Sequence, residues 1–299
     1  MIFVIVGPTG IGKSKLSLDY ALKNQALIIN GDAFQCYKEM NIGTAKPSLA
    51  ERSLVPHYLF DIVDKNDMYT VYDYQKDLRR TLDELIPLKK DILIVGGSGL
   101  YLKSALFDFT LSENKKTIDM SSYEKMTNEE LYQELQKIDF ESSKSIHPNN
   151  RKRVLRAIEI YLESGETKSH LIDSQEHKLL YDVEFIGLTC SSREALYDLI
   201  NQRVDKMIDS GLVEEVADLK KNFSPSLRAF QAIGYKELLI DYEPKDLNEI
   251  ISLIKQRTRN YAKRQYTYFN NQLPVKWFSS CEQALAYMEE RKHETTKHI

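Results

Sequence analysis

Met1-Ile2-Phe3-Val4-Ile5-Val6-Gly7-Pro8-Thr9-Gly10-Ile11-Gly12-Lys13-Ser14 opens the chain, and its reading decides the fold. The unbroken apolar run Ile2–Val6 is the pattern of a strand buried on both faces. It has no basic leader and meets Gly7-Pro8 too early for a signal peptide. Gly7–Ser14 matches G-x-x-x-x-G-K-[ST]. A bound phosphate needs convergent N–H donors, and glycines let a loop wrap with its amides inward. The following helix, expected from Lys13 to about Lys23, adds partial positive charge at its N-terminus. Lys13 adds a full charge, and the Ser14 hydroxyl can ligate Mg²⁺.

Further out, Ala26–Asn30, a weaker run at Tyr58–Val63, and Ile92–Val95 read as strands. Between the last two, Val71, Tyr74, Leu78, Leu82 and Leu85 recur at helical spacing on one face. Val183–Leu188 resembles another core strand, and Ser191-Ser192 caps the helix after it. Buried strands alternating with helices predict an α/β fold with a P-loop NTPase-like parallel sheet flanked by helices. From Thr110 to Ser122 the chain turns polar, including Ser112-Glu113-Asn114-Lys115-Lys116. Thr127-Asn128-Glu129-Glu130 then forms a capping-box pattern before Leu131, Leu135 and Ile138. A helical insertion over 111–148 is expected, with 1–110 and 149–299 forming the core and a helical C-terminal part. A helix from about Asn150 to Glu163 ends at Gly165. Beyond Gly211 the pattern is mostly helical, with turns at Ser224-Pro225 and Glu243-Pro244.

Composition narrows the classes. The 299 residues suit one large domain or two, and 42% hydrophobic with 28% charged residues is ordinary for a soluble globular chain. No apolar run approaches the roughly 18 residues that span a bilayer, so no membrane partner is expected. Cys36, Cys190 and Cys281 lie far apart, which disfavours a disulfide framework or cysteine-rich zinc site and points to a reducing cytoplasm. The formal net charge of −3 neither suggests nor excludes RNA.

In an open parallel sheet, ligands bind beyond the carboxyl ends of the strands. Gly7–Ser14, Asp32 after Asn30-Gly31, and Gly96-Gly97-Ser98-Gly99 after Val95 should therefore share one crevice. Asp32 can be a magnesium-water ligand, a general base or a turn-forming residue. Arg203 falls on the apolar stripe Leu196, Leu199, Ile200, Val204 and Met207, where it must find an anion or snorkel outward. Spacing leaves a core-edge salt bridge and a phosphate contact open. Two basic segments stand out: Arg151-Lys152-Arg153-Val154-Leu155-Arg156, and Lys255 to Tyr266 with interleaved tyrosines. Cations beside stackable aromatics suit single-stranded RNA, although a solvated helix face explains either segment alone.

Several segments together resemble the tRNA dimethylallyltransferase (isopentenyltransferase) family, nearly end to end. They are the P-loop, Gly31-Asp32-Ala33-Phe34-Gln35-Cys36-Tyr37, Asn41-Ile42-Gly43-Thr44-Ala45-Lys46-Pro47 and Gly96-Gly97-Ser98-Gly99-Leu100-Tyr101. His147-Pro148-Asn149, Arg153 to Ala157, Gln202-Arg203, Ala232 to Glu237 and Tyr261-Ala262-Lys263-Arg264-Gln265 extend the match. With no Cys/His zinc module after Trp277, the chain resembles the short bacterial type.

The resemblance implies transfer of a dimethylallyl group from dimethylallyl diphosphate to N6 of the adenosine 3′ of a tRNA anticodon (position 37), with Mg²⁺. It implies that Asp32 takes the N6 proton, while Thr9, Lys13, Ser14 with its metal, and Arg203 stabilise the diphosphate held by Gly7 to Ser14. It implies RNA contacts by Asp32, Ala33, Phe34, Gln35, Ser98, Lys152, Arg153, Val154, Leu155 and Arg156, and by the insertion that holds the anticodon stem-loop. A monomer is expected. The chemistry agrees with the residues: a weak amine needs deprotonation, and a leaving diphosphate needs countercharge. The missing carboxylate after Val95 is then no puzzle, and the glycines there would leave room for an unstacked nucleotide. Ala33, Ser98, Lys152 and Tyr268 depart from Ser, Thr, Gln and Trp in several family members. Competing expectations are a P-loop nucleoside or nucleotide kinase, dimethylallyl transfer to free AMP, ADP or ATP, and a non-catalytic RNA-binding switch.

Overall fold

The computed structural model describes residues 1–111, 118–222, 227–241 and 246–297. The polar stretch 112–116 and the turns at Ser224-Pro225 and Glu243-Pro244 lie outside the described residues. Contacts divide the chain into two compact units, Met1–Leu106 with Tyr181–Ile299, and Phe107–Leu180.

The larger unit starts with β1 (Ile2–Val6), α1 (Lys13–Asn24), β2 (Leu27–Asn30), α2 (Leu49–Leu54), β3 (His57–Tyr58), α3 (Val71–Leu85), β4 (Ile92–Val95) and α4 (Gly99–Leu106). The smaller unit holds α5 (Ser121–Glu124), α6 (Asn128–Ile138), α7 (Phe140–Ser145), α8 (Arg151–Ser164) and α9 (Lys168–Asp173). The chain then returns to the larger unit through β5 (Glu184–Leu188), α10 (Arg193–Asp209), α11 (Leu212–Asn222), α12 (Leu247–Gln272), β6 (Val275–Phe278) and α13 (Cys281–Lys297).

All sheet pairs are parallel, in the order β3-β2-β4-β1-β5-β6. β1 lies between β4 (Ile2↔Ile92 to Ile5↔Val95) and β5 (Phe3↔Glu184 to Val6↔Gly187). All five β1 residues are buried, as a strand covered on both faces requires. Each large apolar side chain so buried contributes about 1.5–3 kcal/mol. α1 and α13 cover one face, with Leu16, Tyr20, Ala284 and Met288 in a core with Phe3, Ile5 and Leu93. α3 presents the expected stripe: Tyr74, Leu78, Leu82 and Leu85 are buried, and Thr70 caps it through a capping box with Asp73.

One expectation needs correction. The run at Tyr58–Val63 yields only a two-residue strand, because Leu59 (φ 63°) and Asp61 (φ 53°) turn left-handed and break the extension. The C-terminal part is mostly helical, as expected, and also supplies an edge strand, Val275-Lys276-Trp277-Phe278, paired from Phe185↔Val275 to Leu188↔Phe278.

In the smaller unit, Thr127 and Glu130 form the expected capping box, and Gly165 (φ 76°) ends α8. Leu131 and Leu135 of α6 pack with Val154, Ala157 and Ile158 of α8. That shared core places α8 in this unit, so the compact body runs over Phe107–Leu180 rather than 111–148.

Candidate active site

Three loops leave the carboxyl ends of β1, β2 and β4. In the first, Gly7, Gly10 and Gly12 hold φ of 141°, 85° and 104°, values L side chains rarely adopt. A Cβ at Gly7 would also lie 2.6 Å from the Leu188 carbonyl oxygen. Gly12 precedes α1 without side-chain capping, which leaves the first helical amides for an anion. The Lys13 Nζ donates to the carbonyls of Gly7 and Pro8, at 2.9 Å each. Burial, and then the Arg203 guanidinium, push its pKa down to about 7 against the opposing pull of Asp32. Ser14 is exposed at the helix start. Pro8 lines a separate hollow with Tyr197 and Tyr266, and Ile11 packs on the core, so these two side chains do not face the phosphate loop's cavity.

In the second loop, Asn30 is buried and holds Asp32 from both sides: its oxygen accepts from the Asp32 amide (2.8 Å), and its nitrogen donates to the Asp32 carbonyl (3.0 Å). One Asp32 carboxylate oxygen accepts from the Phe34 amide at 2.9 Å. Burial raises the Asp32 pKa, while the Phe34 and Gln35 amides, Lys13 and Arg203 work against that rise. Asp32 is thus both a turn former and an acid whose basicity burial increases.

In the third loop, the Ser98 hydroxyl accepts from the Ala33 amide at 2.9 Å and so ties β4's loop to β2's. The glycines here also serve close packing. A Cβ at Gly96 would lie 2.0 Å from the Gly31 backbone, and one at Gly97 would lie 2.1 Å from the Gln265 amide nitrogen. The room a side chain would take is filled by the protein itself, while Gly96 and Gly97 still border the cavity beside Asp32.

Arg203 comes from α10, capped by Ser192 as expected. Among the described residues no hydrogen bond or ion pair of its guanidinium is found, so the salt-bridge alternative does not hold; burial lowers its pKa, and Asp32 counters. Of its stripe, Ile200 and Val204 are buried, whereas Leu199 is exposed because that side of α10 borders open hollows.

Two cavities meet at these groups. One, of about 230 Å³, is lined by Thr9, Gly10, Gly12, Lys13 and Ser14 of the P-loop and by Gln35. The other, of about 280 Å³, has a more apolar wall including Val204, Met207, Ile233 and Ile254, and also touches Phe34. Thr9, Asp32, Thr44, Arg203 and Tyr261 line both. An anion in the first and a planar or apolar group in the second would therefore meet beside Asp32.

Gln265 is a residue whose role the sequence did not disclose. Its oxygen accepts from the Thr9 amide (2.9 Å), and its nitrogen donates to the Gly97 carbonyl (3.0 Å). One turn earlier on α12, burial raises the Tyr261 pKa and keeps its phenol protonated. Glu215 and Tyr235, which grip the loop at 41–43, were also missed. Glutamine on a helix face has no distinguishing pattern; only its place in the Ala-Lys-Arg-Gln segment singled out the region.

The basic segments separate. On α8, Lys152 and Arg153 are exposed, and Arg156 pairs with Glu159 at 2.6 Å. Val154 is wholly buried in the smaller unit's core and Leu155 half-buried against it, so the Val154 side chain cannot be an RNA contact. On α12 much of the charge is engaged internally: Lys255 with Asp205 (2.6 Å), Arg257 with Glu237 (2.7 Å) and Arg259 with Asn201 (2.7 Å). The structural explanation therefore prevails for those three residues.

Among the described residues, no cluster of three or more His, Cys, Asp or Glu could hold a metal, and no helix is long and apolar enough to cross a membrane.

The IPP transferase family model matches residues 35–272. A tRNA dimethylallyltransferase of Anoxybacillus flavithermus is 41% identical over 300 residues, covering 100% of this chain and 96% of its own. One of Bacillus mycoides is 43% identical over 283 residues, covering 92% and 88%. The crystal structure of a tRNA isopentenylpyrophosphate transferase from Staphylococcus epidermidis superimposes with a TM-score of 0.73 at 36% identity, covering 98% and 99%. A eukaryotic dimethylallyltransferase described as acting on tRNA gives a TM-score of 0.81 at 29% identity, covering 97% of this chain and 77% of its own.

Proposed function

The chain belongs to the IPP transferase family, and on that premise we propose that it transfers the dimethylallyl group of dimethylallyl diphosphate to N6 of the adenosine 3′-adjacent to a tRNA anticodon. The observation that carries the chemistry is the position of Asp32, on the shared wall of a phosphate-loop cavity and a more apolar one.

In this mechanism the diphosphate lies against the amides of Gly7 to Ser14. Lys13 turns from its loop carbonyls to the anion, whose charge restores its ammonium form. The adenine amine attacks C1 of the dimethylallyl group. The new C–N bond forms as the C1–O bond breaks, the N6 proton passes to Asp32, and diphosphate departs toward Thr9, Lys13 and Arg203. A carboxylate made more basic by burial suits the proton transfer, and Arg203, whose guanidinium has no partner among the described residues, suits the departing charge.

Ser14, with the substrate's own oxygens, fits a magnesium ion that takes few protein ligands. When bound, that ion would neutralise diphosphate charge. RNA is met by Asp32 to Gln35, Ser98, and exposed Lys152 and Arg153, with Arg156 once its carboxylate partners yield.

The test is incubation with Mg²⁺, dimethylallyl diphosphate and an anticodon stem-loop, followed by mass spectrometry of the digested nucleosides. A dimethylallyl gain on the adenosine after the anticodon is expected. Parallel tubes replace the RNA with AMP, ADP or ATP, or the diphosphate with ATP. Product on free nucleotide alone, or ADP without prenylation, would overturn the assignment.

A further inference from the structure

We propose that Glu215 is a positioning residue for the RNA acceptor, acting through the loop at 41–45; this rests on the RNA-directed function above. Its carboxylate accepts from three successive backbone amides, Asn41 (3.1 Å), Ile42 (3.0 Å) and Gly43 (3.3 Å). The Tyr235 hydroxyl also donates to it and accepts from the Gly43 amide at 3.2 Å. Three consecutive N–H groups converging on one point form an anion-binding concavity, and here a side chain of the same protein fills it.

The grip is closely fitted. Tyr235 is fully buried, and a Cβ at Gly43 would lie 2.3 Å from its ring. Burial, followed by the adjacent Glu215 carboxylate, raises the Tyr235 pKa, so the phenol remains a donor. A glutamine at 215 would offer one acceptor oxygen to four donors and turn its own NH₂ group toward them.

The loop so held reaches the site. The carbonyls of Thr44 and Ala45 accept from the Gln35 amide at 3.0 and 3.2 Å. Thr44 lines both cavities beside Asp32, and Gly43 lines the more apolar one. Among the described residues, the P-loop makes no hydrogen bond with Glu215 or Tyr235. The anchor therefore acts most directly on the more apolar, RNA-facing wall, which Gly43 lines, and reaches the phosphate-loop cavity only indirectly, through Thr44 and Ala45, to which Glu215 makes no hydrogen bond among the described residues.

Glu215→Gln and Tyr235→Phe separate this role from simple bracing. The stem-loop KM, and its Kd by fluorescence anisotropy, should rise about tenfold for Glu215→Gln, as expected for losing charge-assisted hydrogen bonds, and less for Tyr235→Phe. The dimethylallyl diphosphate KM should stay within about twofold, and kcat at saturating RNA within about threefold. A lowered melting temperature with both KM values unchanged, or an equal rise in both, would overturn the proposal. A parent protein that binds RNA without transferring the group defeats the functional assignment alone, because the Kd comparison still reads the anchor. If Glu215→Gln fails to fold, Tyr235→Phe, which keeps the ring, carries the comparison.

Discussion

The Thr9 backbone amide donates to the Gln265 side-chain oxygen at 2.9 Å, joining the P-loop to a helix 256 residues later. Because the same amide group of Gln265 also holds Gly97, one side chain fixes the spacing between the β1 and β4 loops that flank Asp32.

Gln265→Met keeps the volume and removes both bonds. It should lower kcat about tenfold or more, since a P-loop off by fractions of an ångström loses alignment with the departing diphosphate. Steady-state kinetics and a thermal melt check it; unchanged kcat would make Gln265 a packing residue only.

Asp32→Ala should reduce turnover at least about a hundredfold while RNA affinity falls less. Asp32 must be ionised to accept the proton, so kcat/KM should fall as pH drops through its raised pKa. Arg203 opposes that rise, so Arg203→Met should move the acidic limb to higher pH. A limb unmoved by the substitution would dissociate Arg203 from Asp32's titration.

Lys13 supplies a different pH signature. In the free protein its pKa is near 7, and a bound diphosphate raises it, so binding above pH 7 takes up a proton. Affinity for dimethylallyl diphosphate should then weaken as pH climbs above 7, by up to about tenfold per unit. Lys13→Arg, which stays charged, should lose that component. Calorimetry of both proteins in buffers of different ionisation enthalpy measures the proton uptake, and equal uptake would rule out Lys13 as its source.

Gly97→Ala brings a methyl group to 2.1 Å from Gln265, and should destabilise the fold by about 1–3 kcal/mol in urea unfolding. Gly96→Ala, which meets the Gly31 backbone at 2.0 Å, should cost more, because backbone yields less readily than a side chain. Equal unfolding midpoints for parent and variants would contradict this packing.

Reversing Lys152 and Arg153 to Glu should weaken stem-loop binding and flatten its salt dependence. Arg156 should contribute less, since Glu159 already engages it. Affinity unchanged across a salt series would reduce this face to solvated surface.

The sheet, α1 and the stripe of α3 were legible because short-range pattern dictates them: continuous apolar strands, a Gly-Lys-Ser turn, and Tyr74, Leu78, Leu82 and Leu85 at helical spacing. Asp32 was legible because it follows the end of a buried strand. β6 escaped because four residues between two helices carry no periodicity. Sequence alone places α8 with the core, because nothing in it states that Val154 packs on Leu131 and Leu135. Gln265 and Glu215 escaped for a related reason: their meaning lies in backbone amides far away in the chain.

The position of β1 in the order β3-β2-β4-β1-β5-β6 bears on synthesis. β1 is flanked by two strands that are made well after it. A nascent chain ending before Ile92 has neither neighbour for β1, and one ending before Glu184 leaves one edge open. The Gln265 brace on Thr9 closes later still, since its two ends lie 256 residues apart. The first segment of the phosphate loop to be translated is thus among the last to acquire its final shape, and until then an apolar, hydrogen-bond-hungry edge depends on chaperones or speed to stay unpaired with strangers.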